Sequence, residues 1–552
     1  MNLLAKYMKK NRKNACNVPE EQVMNIPFFV LFSMAFGVVF FIILSIMLFA
    51  DKLDYSCKRE FVLSNETIFF IAVFLLFISI IFYCCFKNKY SNLLKDRIKI
   101  NIDKIVLATV IILFFGQIYV CYNIFFLSRW DVRAIRDFIQ TVQSNGNRDV
   151  VNAYFSSYPN NLFISYLFLF IYKVNNSLGV FSGEYKFMCI VVLNCVLNSF
   201  SCWLSYKTAK AFLSPAFSLL AYVFCVFSVG ISGWTVVCYS DALALFIPIL
   251  SVYLYCRKYK SRRTKTFGFI MSGSVSVVGY YIKPQCLFAL IAILVLEAFK
   301  AIEKHSWKSL IRPIALCLSA IVVFAGIKIF LNVLNQRYDI DIDREQAFGY
   351  SHFLMMGAND EEGNGVYSSQ DVAFSRSFPT VQERKKANLE VFKKRISDRS
   401  FSVTTHLKKK MLTTFNDGTF AWGYEGGFLD VVPENINSKM APFLKSIYHF
   451  GDRFKYFATF QQFIWMLILF YAVLSVLSKR TRLNGYNLSL IWIILLGFVL
   501  YEALFEVRAR YLYIFVPLFC VLAPIGIKNI CLAAFEHMSR IKNKFAKKEV
   551  KQ

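Results

Sequence analysis

A small set of ionisable side chains stands out because each falls at the end of a long apolar run. Asp131 and Asp137 lie in SRWDVRAIRDF directly after such a run, and Asp241 opens another in CYSDALAL. Lys283 sits between two runs in YYIKPQ, and Glu506, Arg508 and Arg510 follow a further one in FEVRARYLY. A carboxylate at a membrane surface is costly unless it faces water, a cation or a substrate. Carboxylates are also the groups that take a proton from an attacking hydroxyl. Arginine and lysine hold phosphate, the first through a two-point fork and the second as a compact charge. The set therefore has what transfer from a phosphate-bearing donor needs: a base for the acceptor and cations for the leaving group. Plainer readings exist for each. Asp131 would serve as the N-cap of the short helix VRAIRDFIQTVQ; Lys283 and Arg508 would snorkel from helix ends or pair with Glu506.

What must position these residues is a membrane bundle. The chain has 552 residues, 57% of them apolar and 17% aromatic, with a mean hydropathy of +0.47 and repeated apolar runs of about 20 residues, the length that spans a bilayer. The net charge of +28 comes from lysines and arginines clustered in short loops, the positive-inside pattern, so no nucleic-acid partner is implied. Runs at 27–50, 67–86, 105–127, 186–206, 212–231, 241–256, 267–282, 284–302, 311–331, 456–477, 486–505 and 511–527 predict an all-α polytopic protein with about twelve spans and both termini cytoplasmic. The run at 162–172 is too short to cross. Basic RKYKSRRTK at 257–265 must be cytoplasmic, and three crossings from the outer face reach it only if 162–172 stays outside. Residues 128–183 are thus expected to form one outer region with two helices lying against the membrane.

Four parts follow: 1–104, the cytoplasmic start and an additional two-helix hairpin; 105–331, a membrane core; 332–455, an external loop domain; and 456–552, the last spans with a basic cytoplasmic tail. In the loop domain, Asp360, Glu361 and Glu362 lack the alternating spacing of a calcium loop. His352, His406 and His449 are far apart and read as structural. The aromatic segment FNDGTFAWGYEGGF at 415–428 would stack on a sugar ring or pack the loop against the membrane. The fifteen cysteines include many inside apolar runs, at no metal-ligand spacing, and read as small packing residues.

The order of these motifs resembles the GT-C superfamily, integral membrane glycosyltransferases that use polyprenyl-phosphate sugars. The resemblance covers about 105–527 and is carried by Trp130-Asp131 after a span, Tyr158-Pro159 opening an apolar juxtamembrane helix, Asp241 at a span start, Lys283-Pro284 between spans, and Arg508 to Tyr511 before the last one. It implies that Asp131 is the catalytic base or orients the acceptor, with Asp137 or Asp241 as helper. Lys283, Arg508 and Arg510 would bind the lipid phosphate, with Tyr158, Asn160 and Glu506 beside them. The family often uses a divalent cation, Mg²⁺ or Mn²⁺, although no Asp-Asp or Asp-Glu pair follows Trp130 here. The implied partners are a polyprenyl-phosphate-linked sugar, a glycan, lipid or protein acceptor, and the lipids of the plasma membrane.

Phosphate leaves readily, so one carboxylate suffices and a single displacement inverts the anomeric centre. Two rivals share the requirements: a flippase or exporter of lipid-linked saccharides, and a polymerase or ligase joining whole glycans. Transporters tend to show repeated halves and broken or polar helices near the midplane. The sequence displays no clear repeat, and its spans are expected to hold little buried charge.

Overall fold

The computed structural model describes residues 26–50, 61–96, 101–304, 307–360, 364–423, 429–433, 438–477 and 485–549. The N-terminal basic cluster, Glu361, Glu362, residues 424–428 of the aromatic segment and the basic turn at 478–484 lie outside the described residues. Nine helices among the described residues are long and apolar enough to cross a membrane. Pro215–Gly230 and Ser240–Cys256 are shorter apolar helices, and Arg262–Tyr280 is a 19-residue helix that opens on a capping box between Ser261 and Thr264.

These helices divide by what surrounds them. In Ala509–Asn543, 72% of the most apolar stretch is buried inside the protein; in Ile311–Arg337 only 6% is. The first lies at the centre, against Phe454–Val473, Pro215–Cys225, Asn65–Asp96 and Met188–Ala209. The second leaves Leu318, Ile321, Val322 and Ile329 exposed, as expected of a helix solvated by acyl chains. The basic tail continues the central post as one helix, Val516–Glu549.

The 128–183 region contains three helices, not the two expected: Trp130–Ser144, Asp149–Ser157 and Leu162–Leu178. The extra break comes at Asn145, which adopts a left-handed backbone (φ 51°) and ends the first helix. Leu162–Leu178, at 17 residues, is about 25 Å long, short of a ~30 Å hydrocarbon core. Leu127–Ser128 pairs antiparallel with Leu429–Val431, so a strand from far along the chain closes over the start of this region.

Residues 338–453 form a unit of short helices, with Ser368, Thr380 and Ser402 each capping a helix by accepting a backbone N–H. Its apolar cluster is small: Phe348, Met356 and Val372, with Tyr158 and Phe353 against them. A buried arginine, Arg384, and a half-buried one, Arg395, supplement it. Arg384 donates to the carbonyls of Glu345, Ser375 and Phe378, and Arg395 grips Asp371 at 2.7 and 2.9 Å.

One of the places where this unit is fastened to the bundle lies beside Arg508 and Arg510. Lys410 donates to the carbonyls of Gly357 (2.8 Å), Ala503 (3.2 Å) and Phe505 (2.8 Å), and the Val507 N–H donates to Gly365 (2.9 Å). Any side chain at Gly357 would collide with the Phe505 backbone, and Gly365 is left-handed (φ +80°), so glycine suits both positions. The end of the Gly485–Leu504 helix is thereby clamped just before Arg508 and Arg510.

Candidate functional site

Asp131 is not a helix cap. Arg129 occupies that position without a side-chain cap bond, and Asp131 lies within the first turn of Trp130–Ser144. Its two carboxylate oxygens accept from different tyrosines, Tyr154 at 2.8 Å and Tyr239 at 2.8 Å. Asn161 donates to the Tyr154 hydroxyl at 2.6 Å, which extends the network. Burial, reinforced by the Asp131 charge, pushes both tyrosines well above the usual phenol range, so each stays a donor. A carboxylate has about four lone-pair sites, and two hydroxyls leave room for an incoming donor on the half-exposed Asp131. The preceding Trp130 is left-handed (φ 43°), a conformation costing of order 1–3 kcal/mol and concentrated at functional sites.

Next to this carboxylate lies a buried ion cluster. Asp241, fully buried at the start of Ser240–Ala244, accepts from Lys283, and the Arg510 guanidinium lies 4.0 Å from its other oxygen. Arg510 sits over the rings of Trp130 (4.8 Å), Tyr239 (5.4 Å) and Tyr511 (5.7 Å), and Lys283 over Tyr511 (5.0 Å). Tyr239 joins the two halves, its hydroxyl on Asp131 and its ring under Arg510.

The chain's family is recognisable over nearly its whole length: a model of a conserved hypothetical integral membrane protein family matches residues 21–531. The chain belongs to that family. No curated protein and no solved structure matches it.

Of the residues expected at the site, Asp131, Asp241, Lys283 and Arg510 are brought together. Asp137 is not among them: it is 43% exposed and pairs along its own helix with Arg133 (3.7 Å) and Arg136 (3.9 Å), on the side where Arg136 holds Asp430 at 3.0 Å. Asn160 is exposed and donates only to its neighbour Asn161; the asparagine in the network is Asn161. Glu506 pairs with Arg508 at 3.0 Å, the plainer reading of that arginine. Lys283 is too deeply buried to snorkel. Tyr158 is half-buried against Tyr154 and Phe348.

Tyr154, Tyr239 and Asn161 are the residues that sequence reasoning missed. Tyr239 is two positions before Asp241, and its type was the available signal. The aromatic segment resolves toward packing: Phe415, Phe420 and Trp422 are buried, Trp422 against Trp234 and Phe126. His352, His406 and His449 bond to Ser375, the Gly357 carbonyl and the Ile124 carbonyl respectively, and Asp360 meets His406 and Lys409.

The donor set does not fit a divalent cation. Asp131 is flanked by hydroxyls that donate to it, and Asp241 by two cations, which would repel a metal. Among the described residues no group of three or more His, Cys, Asp or Glu side chains converges.

The expectation of little buried charge within the spans is corrected. At the other end of the Leu287–Lys304 helix, Glu297 is 3% exposed and bonds to Tyr255 (2.7 Å) and Lys300 (2.8 Å), with Arg312 at 3.4 Å. Glu502 is buried beside Thr414.

Proposed function

We propose that this protein is a membrane glycosyltransferase that moves a sugar from a polyprenyl-phosphate-linked donor to a hydroxyl acceptor. The supporting observation is the joining of Asp131, through Tyr239, to the Lys283–Asp241–Arg510 cluster. Four separate stretches of chain supply these groups: the start of Trp130–Ser144, the approach to Ser240–Ala244, the turn before Leu287–Lys304, and the turn after Gly485–Leu504. Asp131 takes the proton of the acceptor hydroxyl as its oxygen attacks the anomeric carbon. The bond from that carbon to the phosphate oxygen breaks, and the polyprenyl phosphate leaves with both electrons into a field made positive by arginine and lysine. One displacement inverts the anomeric centre.

The topology belongs to the same proposal. Adding Pro215–Gly230, Ser240–Cys256 and Arg262–Tyr280 to the nine longer helices accounts for twelve crossings of the plasma membrane. Both termini are then cytoplasmic, and Asp131 and the 338–453 unit lie on the outer face.

A second reading, a flippase or exporter of lipid-linked saccharides, is favoured by one observation: charge buried in the bundle at both ends of Leu287–Lys304. Purified protein in liposomes separates the two. A transferase releases free polyprenyl phosphate from a lipid-linked sugar and makes a glycosylated acceptor. Transbilayer movement of intact donor with no release would replace the transferase reading by the transporter.

A further inference from the structure

The far end of Leu287–Lys304, away from Asp131, holds cations that the proposed reaction does not use. Glu297, 3% exposed, accepts from Lys300 at 2.8 Å and Tyr255 at 2.7 Å, and its other oxygen lies 3.4 Å from the Arg312 guanidinium. One carboxylate thus faces two cations, and the more accessible of the two is Arg312, 47% exposed against 19% for Lys300. Arg312 sits in the first turn of Ile311–Arg337, the helix whose most apolar stretch is only 6% buried. A charge in such a place ordinarily snorkels into water on its long stem. Arg312 is instead drawn back, by Glu297 and by the Phe269 ring, 4.4 Å from its guanidinium. It is therefore fixed at the edge of an apolar face with N–H donors to spare, since a guanidinium carries five. The segment 257–265 beside it adds six basic residues and no acid. Its Arg257 lies 4.8 Å from the Tyr259 ring, and the Tyr259 hydroxyl fills the space beside Gly268, the residue before Phe269.

We propose that Arg312, backed by Lys300, receives the phosphate of an anionic glycerophospholipid whose acyl chains lie along the exposed face of Ile311–Arg337. Charge and apolarity point to the same occupant. A guanidinium binds phosphate by charge-assisted, two-point hydrogen bonds. The excess positive charge favours a head group of net negative charge over a zwitterionic one, and the bare face at Ile314, Leu318 and Ile321 accommodates chains that a soluble phosphate lacks. Basic recesses between spans on the cytoplasmic side bind anionic head groups in this way, and the proposed topology puts this end of the bundle there. The site itself depends on neither that topology nor sugar transfer, because its groups lie at the opposite end of Leu287–Lys304 from Lys283 and Asp241.

The test is lipid binding, read by native mass spectrometry of the full-length, delipidated protein in a neutral detergent. Phosphatidylglycerol is the probe, phosphatidylcholine the zwitterionic control and glycerophosphoglycerol the soluble head group. Phosphatidylglycerol should bind at least about tenfold more tightly than either control, and Arg312→Gln should remove about that factor, as loss of a charge-assisted bond implies. Arg312→Lys should recover part of it. Arg337→Gln, an exposed change at the opposite end of the same helix, should leave affinity unchanged. Glu297→Gln removes the competing carboxylate and keeps both cations, so it should tighten binding, the reverse of what loss of a structural contact would do. Equal affinity for the two lipids, wild-type affinity in a folded Arg312→Gln protein, or weaker binding in a folded Glu297→Gln protein overturns the site. Glycerophosphoglycerol bound as tightly as the lipid would also overturn it, in favour of a soluble phosphate. If phosphatidylglycerol binding depends on Arg312 while no sugar transfer is ever detected, the lipid site stands and the transferase reading falls.

Discussion

The Leu287–Lys304 helix carries two ion clusters of nearly the same composition, one at each end. At the first, Lys283 meets Asp241 with Arg510 and Tyr511 beside them. At the second, about 20 Å along by helical rise, Lys300 meets Glu297 with Arg312 and Tyr255. Both have one carboxylate, two cations and a tyrosine. They differ in what adjoins them. The first is joined through Tyr239 to the half-exposed Asp131, beside a left-handed Trp130, and its Arg510 follows a turn held by the 338–453 unit. In the second, Arg312 is 47% exposed in the first turn of the exposed Ile311–Arg337 helix. In the proposed reading it is the connection to an accessible carboxylate, and not a buried ion cluster by itself, that distinguishes the first end from the second.

The most forceful test of that difference is Asp131→Asn. Loss of general-base catalysis costs on the order of 10² to 10⁴ in rate, so sugar transfer should fall by that factor while folding and donor binding persist. Because Arg129, not Asp131, is the cap residue, no capping loss obscures the result. Near-normal transfer in the liposome assay would remove Asp131 from catalysis and leave the two clusters equivalent.

Next in size are the clusters themselves. Lys283→Met and Lys300→Met each take the bonded ammonium from a buried carboxylate and leave it only the more distant arginine, at up to about 3–5 kcal/mol, and both should lower the melting temperature. Neutralising the carboxylate as well, in Asp241→Asn/Lys283→Met and in Glu297→Gln/Lys300→Met, should restore most of that stability at either end. Transfer should return only in the second double variant. Recovery of activity in both would make the first cluster merely structural.

How much of this was legible beforehand depends on the distance over which the information acts. Asp131, Asp241, Lys283 and Arg510 were found because a charge at the edge of an apolar run is visible within a few residues. Their partners were not: Tyr239 meets Asp131 across 108 positions and Tyr154 across 23, and such pairings exist only once the helices pack. Asn161 could not be told from Asn160, because a turn of unknown phase does not say which of two neighbours faces inward. Glu297 gives no such signal, because Lys300 and Arg312 fall among the basic residues that the positive-inside pattern already accounts for. The helical, many-span character followed directly from composition, whereas the break at Asn145 needed a left-handed residue that few local signals announce.

A smaller effect should come from the clamp that only the first cluster possesses. Burial brings the Lys410 ammonium down to about 7, with Glu502 and Glu506 opposing the shift, and three carbonyls hold it. Lys410→Met takes that donor from the Ala503 and Phe505 carbonyls, while Gly357 keeps His406, at about 1–3 kcal/mol. Hydrogen exchange should quicken in residues 503–510 and transfer should fall about tenfold, while exchange around Glu297 stays unchanged. Equal quickening at both ends would mean that Lys410 supports the whole bundle and not the Arg510 turn.

The smallest effect separates the ends by pH. His352 stacks on Phe348 at 4.2 Å, and Phe348 in turn supports Tyr158; burial lowers the His352 imidazolium from its ordinary 6.5 to about 4. The folded protein therefore binds this proton less readily than the unfolded chain does. Between pH 6.5 and about 4 the unfolded state takes up the proton and the folded state does not, so stability falls as pH falls through that window and is fully present above it. By pH 5 the loss is about 2 kcal/mol, and it should be local: exchange in Tyr350–Gly357 and around Tyr158 quickens on going from pH 7 to 5. His352→Gln cannot titrate and should flatten that response. The cluster at Glu297 has no histidine among its bonded partners, and its exchange, corrected for intrinsic rate, should not change over the same range. A matching acid response at Glu297, or an unaltered one in His352→Gln, would show that the pH sensitivity does not arise under Tyr158.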